Sequence, residues 1–574
     1  MEPRPLIELN VQQAIASILQ KTRWWIKWQD ENIREKWKSE VEQQFLLKTF
    51  EYSLVGWSHG REPIYALHHL LEEPAGSEKY EKLRKWHNEI VTEFKKGDDE
   101  EEDDEDEEED DEDEEDDEGD ANVTTKKRKR DDEVSVTSEN SINYIAKYLE
   151  LVAKREELTA ITDSCKVAIC PAGVDGVWFS DNIISDEIAT KFKKKVAVLE
   201  IVPDDKKDWH PRSKKQVLDL VHPSLFCCVF GKTLRTSNAL DPSSFSTPLE
   251  QMNRVMFAGC EVVEKRSDCS TDYQWIPTDV VVEGGKPGYD GGISVRMLSY
   301  INNLHPDQHD DLYDSIRNIF VKFVPLFERM LSDEEDGQPR SKFRANMQCH
   351  DTSRELPPRP KTLQVVVKIA EIILTPEKPK YKGGVWHIEG TSAENIVGTG
   401  IYYFGCENIK GSRLAFRAEV EEPPYQQNDD DGVAEIYGLF SNALLVQELG
   451  FVETPEARCV VFPNILQHKV QSFELNDPNL PGVRKILAFF LIDPETPIPS
   501  TSVIPPQQQE WMKIPMDFTD VDVVQQKIES MLPRGMSLEE AKIHRLKLMK
   551  ERSVKELDDD DRGGNPRYFS LCEH

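Results

Sequence analysis

The chain has 574 residues, too many for one ordinary core, so two to four packed regions are expected. Its formal net charge of −36 is dominated by an unbroken run of 21 acidic residues, Asp98 to Glu118, without which −15 would remain. That remainder would repel a phosphate backbone, which argues against nucleic acid as a partner. Ten cysteines without framework spacing indicate thiols kept reduced in cytosol or nucleus, and neither Cys165 with Cys170 nor Cys227 with Cys228 has the partners of a zinc site. The opening MEPRPLIELN lacks a signal-peptide layout, and no apolar stretch reaches the roughly 18 to 20 residues that span a bilayer. A soluble intracellular protein with no membrane partner is expected.

From about Leu6 to Lys96 apolar residues recur at helical spacing, as in Trp24, Trp25 and Trp28. The acidic run ends that pattern. Like charges at this density bury nothing to offset chain entropy, so a disordered insertion is predicted, reaching roughly Ser138. Shortly after the run, Lys126 to Arg130 (KKRKR) reads either as a nuclear import signal or as its counter-charge, so the location expected is nucleus or cytoplasm. Ile142 to Glu157 is spaced as a helix, Lys195 to Val202 (KVAVLEIV) reads as a strand, and Asp311 to Leu331 is strongly helical despite Pro325.

From Thr362 the texture turns to strands: Leu363 to Leu374, Val397 to Phe404, Arg413 to Val420, Leu444 to Leu449, Arg458 to Phe462, Val470 to Leu475 and Lys485 to Ile492. That many strands in about 130 residues predict a sandwich or barrel. Ser537 to Leu557 is a charged helix opened by the capping box Ser537-Leu538-Glu539-Glu540. The class is α+β. The expected units are a helical region over 1–96, the acidic insertion over 97–138, a mixed α/β region over 139–350, a β-rich domain over 351–510 and a helical tail over 511–574.

Within YKGGVWHIEG, residues two apart on a strand face the same way, so His387 and Glu389 would project together. His468, in PNILQHKVQ, offers a third ligand. Two histidines and one carboxylate on one face of an octahedron leave three positions open, the arrangement of non-haem Fe(II) oxygenases. Arg484 opens the apolar strand GVRKILAFFLI, where a guanidinium could pair bidentately with a carboxylate deep in the barrel. His305 and His309 read as a solvated helix start, and His350 with Asp351 as rim or structural residues. Trp386 and Tyr402 or Tyr403 are candidates for an aromatic pocket wall, with core packing the competing role.

On these residues the chain resembles the Fe(II)/2-oxoglutarate dioxygenase superfamily in its prolyl-hydroxylase-like branch. More closely, LQVVVKIAEIILTPEKPKYKGGVWHIEG, IVGTGIYYF, VVFPNILQHKV and GVRKILAFFLIDPETPIPSTSVIPPQQ, with VHPSLFCCVFGKT and SYINNLHP upstream, resemble the fungal domain-of-unknown-function 4246 family. The resemblance implies a C-terminal double-stranded β-helix (jelly-roll), Fe(II), 2-oxoglutarate as co-substrate and an oxidised C–H bond. It implies His387, Glu389 and His468 as iron ligands and Arg484 as the residue for the far carboxylate of 2-oxoglutarate. Two departures stand out: Glu389 replaces the usual Asp, and an insertion at Asn476 to Gly482 lengthens the interval to Arg484. An occupied Glu389 position favours hydroxylation or oxidative demethylation over halogenation, of a substrate the sequence does not specify. The reading from another class is a nuclear interaction protein whose acidic tract binds basic partners such as histones, around a catalytically degenerate barrel.

Overall fold

The computed structural model describes residues 1–41, 169–236, 260–285, 292–339, 361–423, 430–512 and 535–555, less a few single positions within those stretches. The acidic run, the KKRKR cluster, Ile142 to Glu157, His350 and Asp351 lie outside them. Helices α1 (Leu6–Leu19), α2 (Trp24–Lys27) and α3 (Glu31–Val41) occupy the described N-terminal stretch. Later helices are α4 (Asp186–Glu200), α5 (Asp310–Ser332), α6 (Asp430–Tyr437) and α7 (Leu538–Lys555). No helix among the described residues is long and apolar enough to cross a membrane.

Strands β1 (Cys170–Pro171), β2 (Trp178–Ser180), β3 (Val217–Val221), β4 (Thr278–Gly284), β5 (Ile293–Met297), β6 (Lys361–Leu374) and β7 (Ile396–Glu407) are followed by β8 (Arg413–Glu419), β9 (Val446–Glu453), β10 (Cys459–Pro463), β11 (Gln467–Val470) and β12 (Gly482–Ile492). A large antiparallel sheet runs β1-β2-β10-β7-β12-β6-β4-β5, with β3 also paired to β6. A small sheet runs β9-β8-β11. Strands from 170–297 and from 361–492 therefore share one sheet, in a mixed α+β chain dominated by β structure.

The strand period of two divides the large sheet cleanly. Val365, Val367 and Ile369 of β6 and Leu487, Phe489 and Leu491 of β12 pack under α5 with Phe320, Phe323 and Phe327. The alternate residues Val366, Ala488 and Phe490 face the small sheet, meeting Leu414, Phe416 and Val452. Each such buried side chain contributes about 1.5–3 kcal/mol of burial, which holds α5 on the sheet through Pro325 despite the lost hydrogen bond. Gly398 and Gly400 of β7 admit that helix: a Cβ would come within 2.4 Å of Met330 at the first and 2.7 Å of Phe323 at the second.

Three strand expectations change. Lys195 to Val202 is not a strand but the last turns of α4 and the residues after it. Ile188, Phe192, Val196 and Leu199 recur every three or four residues, and the Ser185 hydroxyl accepts from the Ile188 N–H as cap, so the helical period prevails over a short β-like run. The predicted strand from Val470 to Leu475 breaks in the middle. Gln467–Val470 pairs with β8 in the small sheet, whereas Phe473–Leu475 pairs with Lys380–Tyr381 and Ile409–Lys410 in a separate ribbon. The strand predicted from Leu444 to Leu449 begins later and runs on to Glu453. At the other end, α7 opens with the expected box: Ser537 N–H donates to Glu540 Oε2 at 2.9 Å, and Glu540 N–H to Ser537 Oγ at 3.2 Å. Arg545 then grips Asp208 at 2.6 and 2.9 Å, and Arg552 reaches buried Glu394 at 3.0 Å.

Candidate metal centre

The segment YKGGVWHIEG is not a continuous strand as expected. Tyr381 pairs with Phe473 at its start, and beyond that only His387 pairs, in a single antiparallel bridge with His468. The two residues exchange backbone hydrogen bonds of 3.1 and 2.9 Å, which sets them directly opposite with side chains on one face. Their rings lie 4.4 Å apart, centroid to centroid. Glu389 brings Oε1 to 3.7 Å from His387 Nε2 and 3.5 Å from His468 Nε2. One donor atom of each residue lies within 4.8 Å of the others, the spacing of a group that could hold a metal ion. The site opens to solvent at His387, whose side chain is 35% exposed against 4% for His468.

Three local features prepare this group. His387 Nδ1 faces the Val385 carbonyl at 2.9 Å, which fixes a proton there and leaves Nε2 turned toward Glu389. Burial would push the Glu389 carboxyl up, but His387 and His468 hold it well below the usual range, so it is ionised. Burial pulls His387 down, and Glu389 with the Val385 carbonyl more than reverse this; burial and then His387 hold His468 below its ordinary value.

The third feature is Asn464, which the sequence reading passed over. It is 2% exposed. Its Oδ1 accepts from Glu389 N–H at 2.9 Å, and its Nδ2 donates to the carbonyls of Glu389 at 2.8 Å and Ile396 at 3.1 Å. The loop bearing two of the three donors is thus clamped to the end of β10. Its only sequence signal was an Asn directly after an apolar strand.

Arg484 lies in β12, opposite Ile372 of β6 and Cys406 of β7. In this register it shares a face with Ile486, Ala488 and Phe490, and so points between the sheets. It is 2% exposed, its guanidinium stands 4.7 Å from the Tyr403 ring and 5.9 Å from that of Phe473, and its Nε has no hydrogen-bond partner. Among the described residues no carboxylate pairs with it. The other basic candidates face elsewhere: Lys485 bridges to Glu200 at 2.7 Å and Glu371 at 3.0 Å, and Arg413 to Glu453 at 3.5 Å.

The aromatic candidates separate by face. Tyr403 is buried beside Arg484, Tyr402 packs outward against Phe192, and Trp386 lies between Arg417 and Lys469, 4.9 and 4.1 Å from its ring. Only Tyr403 can wall the interior next to Arg484. His305, ahead of α5, packs against Trp511 with ring centroids 4.7 Å apart and belongs to no metal-binding group among the described residues.

A second cluster, His210, Asp219 and His222, has metal-like spacing and was not foreseen. Its chemistry does not suit a cation. His222 Nδ1 accepts from Ser224 N–H at 3.1 Å, so its proton sits on Nε2, the nitrogen turned to Asp219 at 3.9 Å. Asp219 is already met by His210 Nδ1 at 2.8 Å and Arg545 at 3.8 Å. Burial pushes the Asp219 carboxyl up, but His222, His210 and Lys368 hold it well below its usual value.

The chain matches the model of the family described as protein of unknown function (DUF4246) over residues 139–359 and 343–514, and it belongs to that family. No curated protein matches it in sequence. Among solved structures it is similar to a bsmA homologue from Methylobium petroleophilum PM1, with 11% identity and a TM-score of 0.21 over 54% of this chain and 84% of that one. It is also similar to the Fe(II)/(alpha)ketoglutarate-dependent dioxygenase TqaL, at 12% and 0.22 over 57% and 96%. An oxidoreductase of the 2OG-Fe(II) oxygenase family from Burkholderia pseudomallei is similar at 10% and 0.18, over 40% and 72%.

Proposed function

We propose that the protein is an Fe(II)- and 2-oxoglutarate-dependent dioxygenase that hydroxylates or oxidatively demethylates its substrate, and that the facing sheets are a double-stranded β-helix. The observation that carries this reading is the convergence of His387, Glu389 and His468 on an interior they share with a buried arginine lacking a counter-ion. Two imidazoles and one carboxylate on one face of an iron ion leave positions for a bidentate co-substrate and O2. Iron so bound supplies the oxidising chemistry, coupled to decarboxylation of 2-oxoglutarate. The chain's own part is positional. His387 and His468 present Nε2, Glu389 supplies the negative charge, Asn464 holds the Glu389 backbone, and Arg484 takes the distal carboxylate in two parallel hydrogen bonds. Phe416, Phe462 and Tyr403 line the interior and keep water from it.

Purified full-length protein with Fe(II) should convert 2-oxoglutarate to succinate above an iron-only control. His387→Ala and His468→Ala should abolish both Fe(II) binding and turnover while remaining folded. Equal Fe(II) affinity in wild type and either variant would remove the reading.

A further inference from the structure

Lys368 occupies the middle of β6 and is the one charged residue on its face of that strand. It pairs with Ala488 of β12, and Ala488 with Ile401 of β7, so Lys368 stands on the inner wall among Val366, Ala488 and Ile401. Its side chain is half-buried. Among the described residues no carboxylate lies within ion-pair distance of its ammonium. A cation partly drawn out of water is ordinarily paired, and one left unpaired can take its counter-charge from a bound anion.

Two observations say where that anion sits. The row of paired residues two positions along β6 from Lys368, namely Val366, Phe490, Thr399 and Phe462, ends where the Phe462 ring meets that of His468 at 4.7 Å. Arg484 lies toward the other end, against the rings of Tyr403 and Phe473. Lys368 and Arg484 are offset by four residues along paired strands, roughly 13 Å at about 3.3 Å per residue, and they serve different ends of the interior. Charge balance separates them as well. A divalent iron, the Glu389 carboxylate and the dianionic co-substrate would sum to one negative charge, which Arg484 would neutralise, leaving Lys368 for a further anion.

We propose that Lys368 is a specificity-determining residue that binds an anionic group of the primary substrate, a carboxylate or a phosphate, and so selects acidic small molecules. This rests on the dioxygenase reading above. No ion pair joins Lys368 to Asp219 of the neighbouring β3, whose Oδ2 is held by His210 and Arg545 and whose buried Oδ1 has no hydrogen-bond partner.

The test uses full-length protein loaded with Mn(II) and saturating 2-oxoglutarate, titrated with hexanoate, hexyl phosphate and neutral hexanamide. Calorimetry and Mn(II) broadening of the probe's proton signals give affinity and proximity to the metal. At least one anion should bind saturably and be broadened, and hexanamide should not. Lys368→Gln should raise that dissociation constant at least about tenfold, with the 2-oxoglutarate constant changed less than about twofold, and Lys368→Arg should restore binding. Whichever anion binds tells carboxylate from phosphate. Equal anion affinity in Lys368→Gln and wild type, no saturable binding of either anion, or a large loss of 2-oxoglutarate affinity in Lys368→Gln would each overturn the proposal. The last outcome would make Lys368 the co-substrate's cation. Failure of 2-oxoglutarate to bind wild type would instead overturn the underlying reading, and this inference with it.

Discussion

Replacing Asn464 tests whether the site is held by its backbone clamp. Asn464→Ala removes three hydrogen bonds of 2.8 to 3.1 Å and strands the N–H and carbonyl of Glu389 and the carbonyl of Ile396. A buried polar group left without a partner costs roughly 1–3 kcal/mol. Water can reach the cavity from the His387 side and relieve part of this, so a loss of roughly 2–5 kcal/mol in stability is expected. The larger effect should be on metal binding. The clamped loop carries His387 and Glu389, and loss of residues that orient ligands typically weakens affinity on the order of 10- to 100-fold. Asn464→Asp should do no better: it keeps an acceptor for Glu389 N–H but sets a carboxylate oxygen against two carbonyls and adds charge beside Glu389. Calorimetric titration with Mn(II) and thermal denaturation of each variant measure both quantities. Metal affinity within about twofold of wild type in folded Asn464→Ala would refute the reasoning.

Arg484→Lys should keep the charge but lose the two-pronged contact, weakening 2-oxoglutarate by roughly tenfold or more with metal affinity little changed; Arg484→Ala should be worse, since removing one member of a buried pair costs about 3–5 kcal/mol. Titrations in which both leave the 2-oxoglutarate constant unchanged would show that another residue binds it. Glu371 gives a pH prediction. Burial, then Glu200, pushes its carboxyl up to about 7 against the pull of Lys485, above the ordinary 4.5. A group raised on folding contributes stability that is full below its unfolded value and lost as pH climbs through its folded value, here worth roughly 3 kcal/mol between about pH 4.5 and 8. Urea midpoints of Glu371→Gln should vary less over that window than those of wild type, and parallel curves would contradict the assignment.

Periodicity and local chemistry determined much of this protein. The strands Lys361–Leu374, Ile396–Glu407 and Gly482–Ile492, the helix over Asp310–Ser332 and the capping box at Ser537 follow from spacing and side-chain type, because a period of two, a period near 3.6 and a cap are properties of a few consecutive residues. The order His387, Glu389, His468 and Arg484 was legible in the same way, as residue types that one chemistry requires. What tertiary structure decided is facing and partnership. Lys195 to Val202 alternates like a strand, yet belongs to a helix begun ten residues earlier at the Ser185 cap. Arg484 and Lys485 are neighbours with opposite fates, one between the sheets and one bridging outward to Glu200 and Glu371, and the Asn476 to Gly482 insertion hides that parity until the pairing with Ile372 sets it. Asn464 and Lys368 carry no motif. Their roles exist only once strands distant in sequence are brought side by side, because a buried polar group is defined by what surrounds it, and that is settled by register and packing rather than by its neighbours along the chain.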